Sequence, residues 1–302
     1  MKKIAILILL SFSLIFVFTA CVNTDAPGEK GQEIISAEKA IDSISNTKVV
    51  LVDAQNSKVY TDGHVEGAVN ISRNDITTFG PFPTMLASAD DIAEVLGENG
   101  ISNNSTVLIY DNNNNMDAAR LWWTMKVFGH EDVQVISGGL NALKKAGAEI
   151  TTTEPSVSTV DYNIEEKNED MLAEKELVKD QVDNPDNNVV LLDVRTNEEY
   201  NSGTIPGSIH FNYEYNNYQD GTYRPVRQIH TLYKDLDITP DKTIILYCKT
   251  SIRAAQTYLA LYNAGYRDLK IYDGAWVEWS SDTSLPVHTP DGNISPNSQD
   301  GS

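Results

Sequence analysis

The sequence predicts an α/β chain made of two similar domains in tandem, each a mainly parallel sheet flanked by helices. Two observations carry this. First, apolar runs of strand length alternate with helical stretches from residue 34 to about 285, and most close on a polar residue: Asp53, Asp111, Asp193 or Cys248. Second, the second half repeats the first. Asp53 and Asp193 lie 140 residues apart, Asp111 and Cys248 137, and Gly139 and Gly274 135. A near-constant offset is the mark of an internal duplication. Two unrelated α/β domains would need three ordered coincidences.

Taken in order, Ser36 caps a helix over 36–43, and 49–52 is an apolar strand ending at Asp53. Tyr60 to Asn70 is a turn and a short strand, and 90–96 is a helix with Ser88 before it. Residues 106–110 form a strand ending at Asp111, followed by a polar loop of four asparagines and an apolar helix over 116–128 carrying Trp122 and Trp123. A strand over 133–136, Gly138-Gly139 and a helix to Lys145 close the first domain, 34–148. Residues 149–160, polar and proline-bearing, form a linker. An amphipathic helix is expected within 165–183. The pattern then returns in the second domain, 161–287, with a strand over 189–194, a turn over 199–209, the Cys248 loop, a helix to Gly265 and a strand over 270–272. The tail, 288–302, is rich in Pro, Asn, Ser, Asp and Gly and is expected to be disordered.

The chemistry concentrates at Cys248. Ile244-Ile245-Leu246-Tyr247 lead into it as a buried strand; Lys249, Thr250, Ser251, Ile252 and Arg253 follow, and then a helix begins. A thiol at that junction faces the positive end of a helix dipole and its unpaired N–H groups, with Lys249 and Arg253 adding positive charge. All of these favour a thiolate, the nucleophilic form. The competing reading is a packed core cysteine. The tryptophans, including Trp276 and Trp279, read as core or domain interface, and the five histidines show no ligand spacing, so no metal or cofactor is expected.

A net charge of −20 over 302 residues disfavours nucleic acid and anionic lipid headgroups as partners. At 41% hydrophobic residues the chain can build a sizeable core. Lys2 and Lys3, an apolar run over 4–18 and Phe18-Thr19-Ala20-Cys21 make residues 1–20 a secretory signal. The segment around Cys21 resembles a bacterial lipobox, which implies a lipid on Cys21, a spacer over 21–33 and an exported protein tethered to the bacterial cell membrane by that lipid alone. An uncleaved signal anchor is the alternative. The chain has two cysteines, so with Cys21 lipidated Cys248 is left as the one free thiol. A monomer is expected.

Together these residues resemble the tandem rhodanese family of sulfurtransferases. The carriers are Leu51-Val52-Asp53 with Gly63-His64-Val65-Glu66-Gly67-Ala68; Tyr110-Asp111 with Ala119-Arg120-Leu121-Trp122-Trp123 and Phe128-Gly129-His130; and Gly138-Gly139. In the second half they are Leu192-Asp193-Val194-Arg195 with Pro206-Gly207-Ser208, the Cys248 loop, and Tyr272-Asp273-Gly274-Ala275-Trp276-Val277-Glu278-Trp279. Thr204 stands where the first repeat has His64, and Ser251 where many members have a loop glycine; a φ above zero there costs serine some strain.

The resemblance implies a nucleophile in the second domain only, Asp111 occupying its place in the first, and a site in the cleft between domains. It also implies double displacement without a cofactor. Cys248 takes the outer sulfur of a small anionic donor such as thiosulfate, releases sulfite, and passes the sulfur to cyanide or a thiol. The N–H groups of Lys249 to Arg253 would hold the terminal sulfur, Lys249 would favour a dianionic donor, and Arg195 would be a second anion contact unless it sits in a salt bridge. Arg253 could instead pair with a carboxylate of its own domain. Phosphatases related to this fold carry Cys-x5-Arg; Cys-x4-Arg here is shorter and suits a sulfur-sized anion. A 3-mercaptopyruvate sulfurtransferase, for which Gly and Ser would be expected after the cysteine instead of Lys249-Thr250, and a sulfur carrier without turnover remain the alternatives.

Overall fold

The computed structural model describes residues 31–164, 166–290 and 294–296, the last three as backbone. The expected signal segment, Cys21 and most of the spacer lie outside the described residues.

Each half forms a five-stranded parallel sheet. In the first half the spatial order is Ile34–Ile35, Val133–Ile136, Thr106–Tyr110, Val49–Asp53, Val69–Asn70. In the second it is Leu172–Ala173, Leu269–Tyr272, Thr243–Tyr247, Val189–Asp193, Ile209–His210, the same topology strand for strand. The central strands read Val-Leu-Ile-Tyr and Ile-Ile-Leu-Tyr without alternation because parallel sheets are covered by helices on both faces. In register, Asp53 lies beside Tyr110 and Asp193 beside Tyr247, so the two C-terminal ends with Asp111 and Cys248 next to them are equivalent points.

The helices Met116–Val127 and Ile252–Asn263 follow these two points and pack against each other. Trp122, Trp123, Tyr258 and Leu259 are fully buried there, with Trp122 edge-on to Tyr262 at 5.5 Å between ring centroids. One apolar cluster runs from Val52 and Ile109 through these helices to Leu246 and Ile271. The halves therefore share a core, and the cleft above it is held by packing rather than by a tether. The outer faces keep separate cores, around Leu51, Leu108 and Ile136 in one half and Leu191, Ile245 and Trp279 in the other. At about 1.5–3 kcal/mol per buried large apolar side chain, the shared cluster is the dominant hold between halves.

Several expectations need correction. The offset of 135 between Gly139 and Gly274 is a misalignment. The N–H groups of Leu140 and Trp276 bond the carbonyls of Asp111 and Cys248, so Gly139 matches Ala275. Both take positive φ, 53° and 56°. A side chain at Gly139 would lie 2.0 Å from the Asp111 carbonyl. The amphipathic helix of 165–183 is a 3-10 turn, Glu169–Met171, the edge strand Leu172–Ala173 and a shorter helix, Lys175–Asp183. The linker is docked: Ile150–Thr151 pairs with His64–Val65, and Val160 bonds Gly97. In the tail, Pro286–His288 pairs antiparallel with Ile294–Pro296, and His288 bridges to Thr204. Residues 152–160 stay irregular, as a linker would, and most of the tail, 291–293 and 297–302, lies outside the described residues.

Candidate active site

Cys248 sits at the C-terminal end of the central strand Thr243–Tyr247, where ligands of parallel sheets bind. It is a free thiol, 1% exposed. The carbonyls of Cys248 and Lys249 accept the N–H groups of Trp276 and Val277, at 3.0 and 3.2 Å. A trans peptide points its N–H opposite to its carbonyl, so these bonds turn the N–H groups of Lys249 and Thr250 away from the helix Ala275–Ser281 that carries Trp276 and Val277. Ser251 then takes φ 66° and ψ −13°, the left-handed conformation, and the helix Ile252–Asn263 begins.

The first domain shows what such a loop holds. The Asp111 carboxylate accepts four backbone N–H groups: Asn113 and Asn115 on Oδ1 at 2.9 and 3.0 Å, Asp117 and Ala118 on Oδ2 at 2.8 and 3.0 Å. Burial first, then the charge of Asp117, push Asp111 up to about 6, while the N–H groups pull it down. Asn115 is left-handed like Ser251. The equivalent of the Asp111 carboxylate is the Cys248 thiol, on a loop one residue shorter. Among the described residues, no oxygen accepts the N–H groups of Ser251, Arg253 or Ala254, the counterparts of Asn115, Asp117 and Ala118. One half carries a cradle of N–H groups filled by its own carboxylate; the other has a cysteine at the equivalent position.

Arg253 lies at the rim, 17% exposed. Its guanidinium bonds Glu199 at 2.5 and 2.8 Å. Burial opposes its charge, yet Glu199 and then Cys248 raise its pKa. The pairing with an own-domain carboxylate is therefore present. Glu199 is in turn drawn down to about 2: burial works against this, and the bond from Arg253 outweighs it. Lys249 is exposed and Thr250 half-buried, both at the mouth. Ile252 is buried, and only its backbone can serve the loop.

Arg195 sits in the salt bridge that the sequence left open as its alternative. It is 2% exposed, bonds Asp193 through Nε and Nη2, donates to the Gly203 carbonyl at 2.6 Å, and stacks on Trp276 at 4.3 Å. These bonds set its charge against Asp193 and make it a brace of the strand end. Thr204, also bonded to Asp193, completes that brace.

Three residues at the site were missed by the sequence reading: Arg120, Thr84 and Asp273. Arg120 was noted only as part of a motif, and all three reach the Cys248 loop across a sequence distance of 22 residues or more.

Two α/β domains of one topology, with a cysteine at the strand end of one and an aspartate at the equivalent point of the other, define a duplicated fold. The rhodanese-like domain family matches residues 36–146 and 174–282, and the chain belongs to it. It is similar to "Sulfur carrier protein TtuD" of Thermus thermophilus, 28% identical over 274 residues, covering 84% of this chain and 95% of that one. It is also similar to a Haloferax volcanii protein named "Putative thiosulfate sulfurtransferase", 30% identical over 260 residues, covering 80% and 88%. Among solved structures, the anaerobic ergothioneine biosynthesis enzyme from Chlorobium limicola superimposes with a TM-score of 0.77 at 23% identity over 85% of this chain and 70% of that one, a likeness of fold.

Proposed function

We propose that the protein is a thiosulfate sulfurtransferase. The observation that carries the reading is the substitution of a thiol for a caged carboxylate: Cys248 occupies the place where the Asp111 carboxylate accepts four backbone N–H groups. The Cys248 thiolate attacks the outer sulfur of thiosulfate; a sulfur–sulfur bond forms, the bond to the sulfonate sulfur breaks, and its electron pair leaves with sulfite. The terminal sulfur of the resulting persulfide keeps one negative charge, and the N–H groups of Thr250 to Ala254 stabilise it. Cyanide or a thiolate then removes that sulfur and regenerates the cysteine thiolate. Lys249, exposed beside the mouth, attracts the dianion against an acidic surface. The near-complete burial of Cys248 supports a slim donor that enters end-on.

The relative named a sulfur carrier favours a second reading, a persulfide handed to one protein without turnover on small acceptors. The mass of the Cys248 peptide after thiosulfate, with and without cyanide, separates the two. A stable added sulfur that cyanide does not remove supports the carrier. Cys248→Ser abolishes both uptake and turnover, and surviving turnover would refute the assignment. Parallel kcat/KM values with thiosulfate and 3-mercaptopyruvate decide the donor. We also propose a lipid on Cys21 that anchors the exported protein, tested by fatty-acid labelling lost in Cys21→Ser.

A further inference from the structure

We infer that Arg120, in the half without a nucleophile, is a positioning residue that acts on Cys248 through Ser251. The inference rests on the sulfur-transfer reading and deepens it. Arg120 is fully buried. Its Nη1 donates to Ser251 Oγ at 3.0 Å and to Asp273 Oδ1 at 2.9 Å, and its Nη2 to the Thr84 carbonyl at 3.2 Å. Its guanidinium lies 4.5 Å over the Trp123 ring, which fixes the plane of the fork. Ser251 Oγ in turn lies 2.8 Å from Asp273 Oδ1 and 2.6 Å from the Thr250 carbonyl. Asp273 Oδ2 accepts the Leu86 N–H at 2.7 Å, and Thr84 Oγ1 donates to the Thr250 carbonyl at 2.8 Å. The segment Thr84 to Leu86 and Arg120 thus grip three groups of the other half: Thr250, Ser251 and Asp273.

The internal repeat shows why the grip is needed. On the Asp111 side Asn114 and Asn115 are both left-handed, a residue type that tolerates that conformation, and Asn115 is the counterpart of Ser251. It anchors itself, donating to the Gly221 carbonyl at 2.7 Å and accepting the Gly138 N–H at 3.1 Å. The Tyr223 N–H bonds Ser137 there as the Leu86 N–H bonds Asp273 here. On the Cys248 side a serine holds φ 66° with a side chain too short to reach the opposite segment. The Arg120–Asp273 pair supplies the missing anchor, and Gln256 stands at the position of Arg120 in the second half. The orientation of the Ser251 N–H, and with it the cradle around the sulfur, follows from this anchor.

The test uses the full chain with Arg120→Gln, Ser251→Ala, Ser251→Gly and the Arg120→Gln/Ser251→Gly double variant. The readouts are the single-turnover rate of sulfur loading from thiosulfate, the pH profile of Cys248 alkylation by iodoacetamide, and Tm. Arg120→Gln and Ser251→Ala are expected to slow loading tenfold or more and to shift the alkylation profile, at temperatures well below their melting. Ser251→Gly in the Arg120→Gln background is expected to restore most of the rate, because glycine adopts φ 66° without an anchor. Wild-type loading and an unshifted profile in folded Arg120→Gln, or failure of glycine to rescue, would overturn the inference. If Arg120→Gln does not fold, Ser251→Ala against Ser251→Gly decides it by the same readouts. If the wild-type chain takes no sulfur from thiosulfate, the functional reading falls, and the alkylation profiles still decide the role of Arg120.

Discussion

Replacing Asp111 by alanine tests the physical premise of the active site in the half that performs no chemistry. The carboxylate accepts four N–H groups between 2.8 and 3.0 Å and is 1% exposed. Hydrogen bonds to a charged group are worth about 1.5–3 kcal/mol each, while burying the charge costs several kcal/mol in return. Removal leaves four donors without their acceptor. Asp111 borders a polar groove with Asn112, Asn114, Asp220 and Gly221, so water can satisfy some of them. The expected net loss is about 3 kcal/mol. For a chain of this size that lowers Tm by roughly 6–12 °C. Urea unfolding followed by tryptophan fluorescence measures it, and the shared core predicts a single transition. Asp111→Asn keeps an oxygen but turns an amide N–H₂ toward donors, and it should lose nearly as much. Sulfur uptake by the folded variants at low temperature should stay within about twofold, since the Cys248 loop is gripped from Thr84 and Arg120 instead. A loss below about 1 kcal/mol would mean that the cradle does not hold an anion to any purpose, and the analogy on which the Cys248 reading stands would fail.

Arg195→Gln should destabilise by about 3–5 kcal/mol, because it leaves Asp193 charged and buried; its KM for thiosulfate should be unchanged, and a KM raised tenfold in folded protein would establish Arg195 as a donor contact. The Glu199–Arg253 pair makes stability pH-dependent. Glu199 ionises near 2 in the fold against an ordinary value of 4.5, so its contribution is complete above 4.5 and is lost as pH falls through about 2. The side chain is 30% exposed, so about 1 kcal/mol is expected; Glu199→Gln should abolish that slope in acid titrations, and an unchanged slope would contradict the pairing. Cys248, at 1% exposure, should react with iodoacetamide far faster than with a bulky maleimide, and equal rates would show a site more open than the structure.

Much of this protein was written in local order. The buried strands announced themselves as unbroken apolar runs, the Ser36 and Ser88 caps by residue type, and the duplication by near-constant spacing. Cys248 stood out because a strand end, a cationic pair and a helix start are neighbours in sequence. The same local signals misled where long-range pairing governs. Residues 165–183 read as one helix because the edge strand Leu172–Ala173 is fixed by pairing with Leu269–Tyr272, and the Arg195 salt bridge stayed one of two alternatives because Asp193, two residues away, could equally have pointed elsewhere.

By itself the chain's order determined two domains of one topology and which of the two holds the thiol, since both follow from patterns within a dozen residues and from their repetition. Only the tertiary structure decided what surrounds that thiol. Arg120, Thr84 and Leu86 come to its loop and to Asp273 from more than a hundred residues upstream, brought there by burial of a core common to both halves. Such contacts are selected by packing geometry after collapse, and a linear reading has no signal for a guanidinium that finds its partner across a pseudo-twofold interface.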